Sequence, residues 1–295
     1  MSMFVLIGAT GTVGRQAMDL LLQGGAEVAA VTRDRTADLP DGARPVVGDP
    51  SAPGTLADWP QDAEGILLSP RAVGPAAEEL LALGAARGTR HVVVLSSSTV
   101  EHPAGRRRFV EEFRAVEEAV GRSGLSWTFL RCADFAANSL AWAPQIRSTG
   151  VVRGAHRGAT TSPIHERDIA EVAVRALTEP GHAGRAHVLT GPDSLDQRDK
   201  VRLVGEAVGR TLAFEEVAPE QVRQAMLAQG LPADVPERLL GSLADYATRP
   251  GPTTDTVERL LGRPARSFAA WARENASAFA ERSLPTRSSA RPEES

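Results

Sequence analysis

The chain begins with a strand, a glycine-rich turn and a helix, and this order constrains its fold more than any other feature. The apolar run Met3–Ile7 leads into Gly8-Ala9-Thr10-Gly11-Thr12-Val13-Gly14, and a helical pattern follows. Gly8 suits a tight turn, Gly11 lets the backbone approach a pyrophosphate, and Gly14 lets the helix pack against the sheet. The unpaired N–H groups of the helix N-terminus then face the phosphates. We therefore predict that a dinucleotide binds at Gly8, Thr10, Gly11, Thr12, Val13 and Gly14.

The second strand indicates which dinucleotide is bound. The run Glu27–Thr32 follows at the spacing of a βαβ unit and leads into Arg33, Asp34 and Arg35. NAD-binding chains usually place an acidic residue about 20 residues past the glycines, where it holds the ribose 2′-hydroxyl. A guanidinium at Arg33 instead suits a 2′-phosphate, because it forms charge-assisted hydrogen bonds to phosphate oxygens. We favour NADP over NAD; Asp34 keeps NAD open if the register shifts by one, and Arg33 as a solvated loop charge is the alternative.

Strand and helix patterns alternate through the first half of the chain, which predicts an α/β fold with a doubly wound parallel sheet. The predicted helices are residues 15–23, 76–87 and 106–123, and the further strands are residues 45–49, 65–69, 91–97 and 126–131. Residues 91–97 begin as a continuous apolar run, as expected of a central parallel strand. Ligands of such sheets bind outside the carboxyl ends of the strands. This rule adds Asp49, Ser69 and Ser96 to the predicted cofactor-binding residues.

The second half changes to mainly helical patterns. A helix over 169–177 and a strand over 185–190 are expected to complete the sheet, and helical patterns follow at 197–208, 219–229, 236–247 and 267–279. We predict a Rossmann core over 1–155 with returns from 160–192 and a substrate lobe over 193–281. The Ser-, Pro- and charge-rich residues 282–295 are expected to form a disordered tail.

Composition limits the partners that the chain can have. With 295 residues, 42% hydrophobic, and a net charge of −4, it is typical of a soluble globular protein that binds neither nucleic acid nor membrane. No signal segment precedes the first strand, so we expect a cytoplasmic protein, and a homodimer is left open. The single cysteine, Cys132, excludes an internal disulfide, and the His, Asp and Glu residues show no metal-ligand spacing.

Segments from nearly the whole chain resemble the NmrA-like, or atypical, branch of the short-chain dehydrogenase/reductase superfamily. They are residues 7–14, 92–98, 123–131, 163–170, 189–192 and 254–279. The resemblance implies an extended Rossmann fold, usually with NADP, and a smaller C-terminal substrate lobe. The family includes quinone and enone reductases, tailoring reductases of small-molecule biosynthesis, and redox sensors that bind the cofactor without catalysis.

The chain departs from the superfamily in its catalytic residues. The usual catalysts are a tyrosine and a lysine four residues apart on the helix after the fifth strand, with the tyrosine as the acid. Here residues 106–118 contain neither, and the only tyrosine and only lysine are Tyr246 and Lys200, in the predicted second lobe. We therefore expect no tyrosine mechanism, since nothing in the sequence brings Tyr246 and Lys200 together.

Polar residues near two strand ends are the remaining candidates for catalysis. Ser97 could stabilise an alkoxide or enolate, as could Ser98 or backbone N–H groups, and His102 could donate a proton near neutral pH. The structural alternatives are a serine that caps the strand end and a histidine in a solvated loop.

Substrate contacts are predicted on the helix after the fifth strand and in the segment after the sixth. Arg114 precedes Glu117 by one helical turn, so the two could orient a substrate or a ribose, or form a surface ion pair. Cys132 is by default a buried small hydrophobe, whereas the resemblance implies that the segment after it lines the substrate cleft. The candidate substrate contacts are Arg114, Cys132, Asp134, Phe135 and Asn138. Asp168 is expected to be a structural helix cap.

Three functions are compatible with these residues. The first is an NADPH-dependent reductase of a small carbonyl, enone or quinone, in a biosynthetic tailoring step. The second is a non-catalytic NADP(H) redox sensor or regulatory protein. The third is a redox-neutral isomerase or cyclase on the same fold.

Overall fold

A seven-stranded parallel sheet forms the centre of the computed structural model, which describes residues 2–280. Its strands are β1 (Met3–Ile7), β2 (Glu27–Thr32), β3 (Ala43–Val47), β4 (Gly65–Leu68), β5 (His91–Ser97), β6 (Ser126–Cys132) and β8 (Arg185–Leu189). Their spatial order is β3-β2-β1-β4-β5-β6-β8, and a separate parallel pair joins β7 (Val151–Gly154) to β9 (Ala213–Glu216). The chain reverses its direction of strand addition at β1, and open α/β sheets bind ligands at such a switch point.

Helices cover both faces of the sheet, which is why its strands are apolar on both faces. The helices are α1 (Thr12–Gln23), α2 (Pro70–Val73), α3 (Ala77–Ala86), α4 (Arg107–Arg122), α5 (Ala143–Thr149), α6 (Glu166–Thr178), α7 (Gln197–Val208), α8 (Pro219–Ala228), α9 (Asp234–Thr248), α10 (Thr256–Leu261), α11 (Phe268–Glu274) and α12 (Ala276–Phe279). Along β5, Val92 and Val94 pack in the cluster that contains α3 and α4 residues, whereas Val93 packs in the cluster of α1 and α6. Alternate side chains of one strand therefore reach different helix layers.

Residues of α5, α7 and α11 form a second apolar core, and α9 returns towards the sheet. Ile146, Val204, Phe268 and Trp271 are among the residues buried in that core. The Gly105 N–H donates a 2.7 Å hydrogen bond to Asp245 of α9. Helix α9 thus lies against the segment that connects β5 to α4.

The doubly wound parallel sheet is as predicted, and the bounds of β1, β2, β5 and α7 match the sequence patterns. The short strands β7 and β9 were not predicted, and the pattern over 267–279 forms two helices that are interrupted at Asn275. The predicted disordered tail, 282–295, lies outside the described residues.

Candidate functional site

The glycine turn brings the N-terminus of α1 against the end of β1. Gly8 has φ +90°, and a Cβ on Gly14 would lie 2.2 Å from the Gly8 carbonyl oxygen, so both positions require glycine. The Gly11 N–H closes the turn with a 3.0 Å bond to the same carbonyl. Thr10, Gly11 and Thr12 are exposed, whereas the Val13 side chain is buried and supports the turn from below. Within residues 2–280, no side chain caps the first turn of α1, and that turn contains no acidic residue. The N-terminus of the helix therefore fits a pyrophosphate.

The residues after β2 favour a phosphate over a ribose hydroxyl. Arg33 is exposed, and its charge helps to hold the pKa of Asp49 low, after the hydrogen bonds that the carboxylate accepts from Ser51. The Asp34 carboxylate accepts hydrogen bonds from Thr36, at 2.8 Å from its N–H and 2.7 Å from its hydroxyl. Asp34 is therefore engaged in a local turn, and Arg33 is the side chain that could reach a 2′-phosphate.

The serines at the ends of β4 and β5 face different surroundings. Ser69 packs beside the glycine turn, since a Cβ on Gly8 would lie 2.8 Å from the Ser69 Cβ. The Ser97 hydroxyl accepts a 3.2 Å bond from the Thr99 N–H and lies 2.8 Å from the Thr99 hydroxyl. Ser97 thus caps the turn after β5, which is the structural role considered for it. It is still partly exposed at the strand end.

Ser96 is on the opposite side of β5 from Ser97, and this corrects its prediction as a cofactor contact through its side chain. Its buried hydroxyl donates a 2.6 Å hydrogen bond to Glu117. Glu117 also accepts two bonds from Arg131, at 3.1 and 2.7 Å. Glu117 therefore does not pair with Arg114, which is exposed and donates only a long 3.4 Å bond to the Val100 carbonyl. The pairing of Arg114 with Glu117 is therefore wrong, because Glu117 points into the sheet layer, whereas a substrate contact by the exposed Arg114 stays a prediction.

Cys132 is a core residue, which corrects its prediction as a substrate contact. The residue is 4% exposed and packs in the cluster of α1 and α6 residues. Its Sγ lies 3.4 Å from the Leu130 carbonyl oxygen, and burial raises the pKa of the thiol. An unionised, enclosed thiol can neither contact a substrate nor act as a nucleophile.

Asp134, just beyond β6, is the centre of a hydrogen-bond network that joins the two lobes. Its carboxylate accepts bonds from the Asn138 amide at 2.6 Å and from the Thr161 hydroxyl at 3.2 Å. The buried Lys200 ammonium lies 3.5 Å from the same carboxylate and donates a 3.1 Å bond to Thr161. Phe135, the next residue, forms an isolated bridge with Ile164 and is partly buried against the core.

Tyr246 projects from α9 towards this network. Burial and the nearby Asp134 carboxylate raise the pKa of its phenol to about 12, although a hydrogen bond with Ser98 opposes the shift. Lys200 thus pairs with Asp134, and Tyr246 is near enough for the same carboxylate to act on its pKa. Nothing in the sequence brings Tyr246 and Lys200 together, but α7 and α9 fold back over the carboxyl ends of β5 and β6.

A cavity of about 460 Å³ lies between the segment after β5 and the end of α9. Its walls are formed by two segments, residues 101–104 and 245–254 without 247 and 248. His102 lines this cavity, and its half-exposed ring lies 3.8 Å from Glu101. Tyr246 forms part of the opposite wall.

The turn before α6 has a structural role that differs in detail from its prediction. His165 caps α6, since its Nδ1 accepts a 3.1 Å bond from the Arg167 N–H. Asp168 is fully buried and accepts 2.7 Å bonds from the Arg263 side chain and from the Arg266 N–H. Asp168 therefore fixes the segment before α11 rather than capping α6.

Over residues 2–280, the side chains form no group suited to a metal ion, and no helix could cross a membrane.

The fold and the glycine cradle define a dinucleotide-binding protein of the Rossmann type. A family model described as NAD(P)H-binding matches residues 8–180. The (4-alkanoyl-5-oxo-2,5-dihydrofuran-3-yl)methyl phosphate reductase of Streptomyces griseus is 37% identical over 94% of this chain and 99% of the relative. The NAD(P)H azoreductase of Xenophilus azovorans is 32% identical over 94% of this chain and 99% of its own. The chain belongs to this NAD(P)H-binding family.

Solved structures agree on the fold. An NADPH-dependent quinone oxidoreductase from Escherichia coli has a TM-score of 0.78 at 20% identity, and the match covers 92% of this chain and 98% of that one. The triphenylmethane reductase of Citrobacter sp. has a TM-score of 0.79 at 18% identity, with 94% and 99% covered. The predicted NAD(P)H-binding family and its Rossmann fold are thus confirmed. The chain is an NAD(P)H-dependent oxidoreductase.

Proposed function

We propose that the protein is an NADPH-dependent reductase of a small, polarised carbon–carbon double bond conjugated to a carbonyl. A butenolide that carries an alkanoyl group and a methyl phosphate is the substrate to test first. The observation that carries this proposal is the 460 Å³ cavity beside the carboxyl end of β5. Likeness to the Streptomyces griseus reductase over nearly the full length of both chains supports the choice of substrate.

NADPH fits the residues at the switch point of the sheet. The cradle of Gly8, Gly11 and Gly14 would hold the pyrophosphate, and Arg33 would hold the 2′-phosphate that separates NADPH from NADH. When bound, NADPH supplies a hydride for the substrate. The chain has to orient the substrate, exclude water and manage the negative charge that develops on the substrate oxygen.

The cavity walls suit a substrate with an apolar body and an anionic group. Pro103, Pro250 and Pro252 contribute rigid apolar surface, which would exclude water from the reacting carbon. His102 and Arg249 are the basic side chains of the wall.

The acids of the same wall already have partners. Asp245 accepts from the Gly105 N–H at 2.7 Å, and Glu101 accepts from Arg131 at 2.9 Å. Arg249 makes a 3.4 Å contact to the Pro103 carbonyl oxygen. A phosphate would be a stronger partner for Arg249 than this carbonyl, because hydrogen bonds between charged groups are roughly twice as strong as neutral ones.

A substrate panel tests the proposal. Purified protein and NADPH are mixed with the butenolide phosphate, the corresponding free alcohol, cyclohexenone and menadione, and NADPH absorbance is followed at 340 nm. We expect turnover, with kcat/KM for the phosphate at least about tenfold above that for the alcohol. Arg249→Ala should remove this preference and leave cyclohexenone turnover unchanged. Tight NADPH binding without turnover of any of the four compounds would contradict the proposal.

A further inference from the structure

The single phenol of the chain lies in the wall of the cavity, beside the carboxyl ends of β5 and β6. Tyr246 is the only tyrosine, and it comes from α9 in the second lobe rather than from the helix after β5. The backbone also fixes it there, because its carbonyl accepts a 3.1 Å bond from the Thr160 N–H. The ring rests against Gly251, where an added Cβ would lie 3.2 Å from the Tyr246 Cε1. A bulky neighbour at position 251 would displace the phenol.

We propose that Tyr246 is the proton donor of the reduction. This inference rests on the proposed function, since a proton donor matters only if the chain reduces a polarised double bond. Helix α4 has no tyrosine, so the phenolic acid would come from α9 instead.

Ser98 is the residue that would orient the Tyr246 hydroxyl. Ser98 is 2% exposed and follows directly on the strand end at Ser97. A hydrogen bond with Ser98 lowers the pKa of the phenol and so partly offsets the effect of burial. With the serine hydroxyl as the donor, the phenol would keep its own hydrogen for a group in the cavity.

Asp134 and Lys200 would keep the phenol protonated until it is needed. The Asp134 carboxylate opposes the loss of the Tyr246 proton, because it would place a second negative charge nearby. The Lys200 ammonium, 3.5 Å from Asp134 and joined to it through Thr161, holds that carboxylate in place. These two residues act through Tyr246 and are positioning residues.

The reduction balances with the hydride from NADPH, the proton of Tyr246 and water. After hydride addition to the β-carbon of the substrate, the electron pair of the former double bond resides on the carbonyl oxygen as an enolate. The O–H bond of Tyr246 then breaks and its proton goes to the enolate, leaving a phenolate. Water entering the cavity returns a proton to the phenolate, so that each turnover consumes one NADPH and one proton.

His102 is the competing proton donor, because it lines the same cavity. Its ring is 46% exposed and lies 3.8 Å from the Glu101 carboxylate. Tyr246 is more buried and is held by partners from both lobes. His102→Gln therefore tests the competing donor beside Tyr246→Phe.

The test compares both variants with the wild-type enzyme on the preferred substrate of the panel. Tyr246→Phe should lower kcat about 100-fold, the scale of a lost general acid, and leave NADPH affinity within twofold. Imidazolium buffer should then raise the rate of Tyr246→Phe in proportion to its concentration, and leave the wild-type rate unchanged, because an external acid replaces the missing one. His102→Gln should lower kcat by less than Tyr246→Phe does, and imidazolium buffer should not raise its rate.

The outcomes separate this inference from the function on which it rests. A wild-type protein without turnover contradicts the proposed function, and the proton donor with it. An active wild type with an equally active Tyr246→Phe, or a loss without buffer rescue, overturns the role of Tyr246 alone. If Tyr246→Phe does not fold, Ser98→Ala decides: a lower kcat with buffer rescue supports the role, and an unchanged kcat overturns it.

Discussion

The Lys200 ammonium lies 3.5 Å from the Asp134 carboxylate, and the lysine side chain is only 3% exposed. This pair connects α7 to the segment that follows β6. Thr161 donates to the aspartate and accepts from the lysine, so that the pair has a shared hydrogen-bond partner. The helical lobe is thus anchored to the sheet through a charged contact as well as through apolar packing.

Removing the lysine from this pair should destabilise the protein. Lys200→Met leaves Asp134 without its cation, and we expect a loss of about 3 kcal/mol in the free energy of unfolding, because breaking a buried ion pair on one side is costly. Urea denaturation followed by tryptophan fluorescence measures the change. Arg223→Met, which breaks an exposed pair with Glu220, is the control and should have no measurable effect. Equal stability of Lys200→Met and wild type would show that the pair does not anchor the lobe.

The phenol of Tyr246 should titrate well above its usual range. Because the chain has one tyrosine, absorbance at 295 nm reports Tyr246 alone, and we expect a pKa of about 12 from burial and the Asp134 carboxylate. The pKa of the phenol is higher in the folded protein than in the unfolded chain, where it is near 10. The contribution of Tyr246 to the free energy of unfolding is therefore fully present below pH 10 and is lost as the pH rises towards 12. Asp134→Asn should lower the pKa. A folded protein that titrates near pH 10 would show that the phenol is not enclosed beside the carboxylate.

Gly14 should be indispensable for cofactor binding. A Cβ at this position would lie 2.2 Å from the Gly8 carbonyl oxygen, so Gly14→Ala must push α1 away from the turn. Overpacking of this kind costs about 1–3 kcal/mol, and NADPH affinity measured by fluorescence titration should fall at least tenfold. Gly121, where an added Cβ meets nothing within 4 Å, is the control, and Gly121→Ala should bind NADPH normally. Unchanged affinity of Gly14→Ala would argue against the cradle.

Arg33 should determine the preference for the phosphorylated cofactor. Arg33→Ala is expected to weaken NADPH binding about 10- to 100-fold and to leave NADH binding unchanged, because only NADPH has the 2′-phosphate. Arg35→Ala is the matched control, since Arg35 is another exposed arginine of the same loop. If Arg35→Ala and Arg33→Ala weaken NADPH equally, the effect is one of general charge rather than of a specific contact.

The sequence predicts those features that depend on local pattern. The strands β1, β2 and β5 follow from apolar runs, and the cradle follows from glycine spacing, because both are determined within a few residues. Which face of a strand a residue occupies was harder to infer. Ser96 and Ser97 are neighbours, yet Ser96 donates to Glu117 in the α4 layer and Ser97 caps the next turn.

Contacts between the lobes could not be predicted from the sequence. Tyr246 reaches Ser98, and Lys200 reaches Asp134, only because α9 and α7 fold back over the sheet. Each pair joins residues far apart in the chain, and no periodicity of either segment indicates its partner. The one available signal was compositional, since a single tyrosine and a single lysine in a chain of 295 residues both lie in the second half.

The most direct test of the proposed function follows a hydrogen atom from cofactor to product. NADPH deuterated at the transferred position of C4 is incubated with the enzyme and the butenolide phosphate in ordinary water, and the product is examined by mass spectrometry and NMR. We expect one deuterium at the β-carbon of the reduced ring and one solvent hydrogen at the α-carbon. A product without deuterium, or cofactor binding with no reduced product, would contradict hydride transfer by this protein.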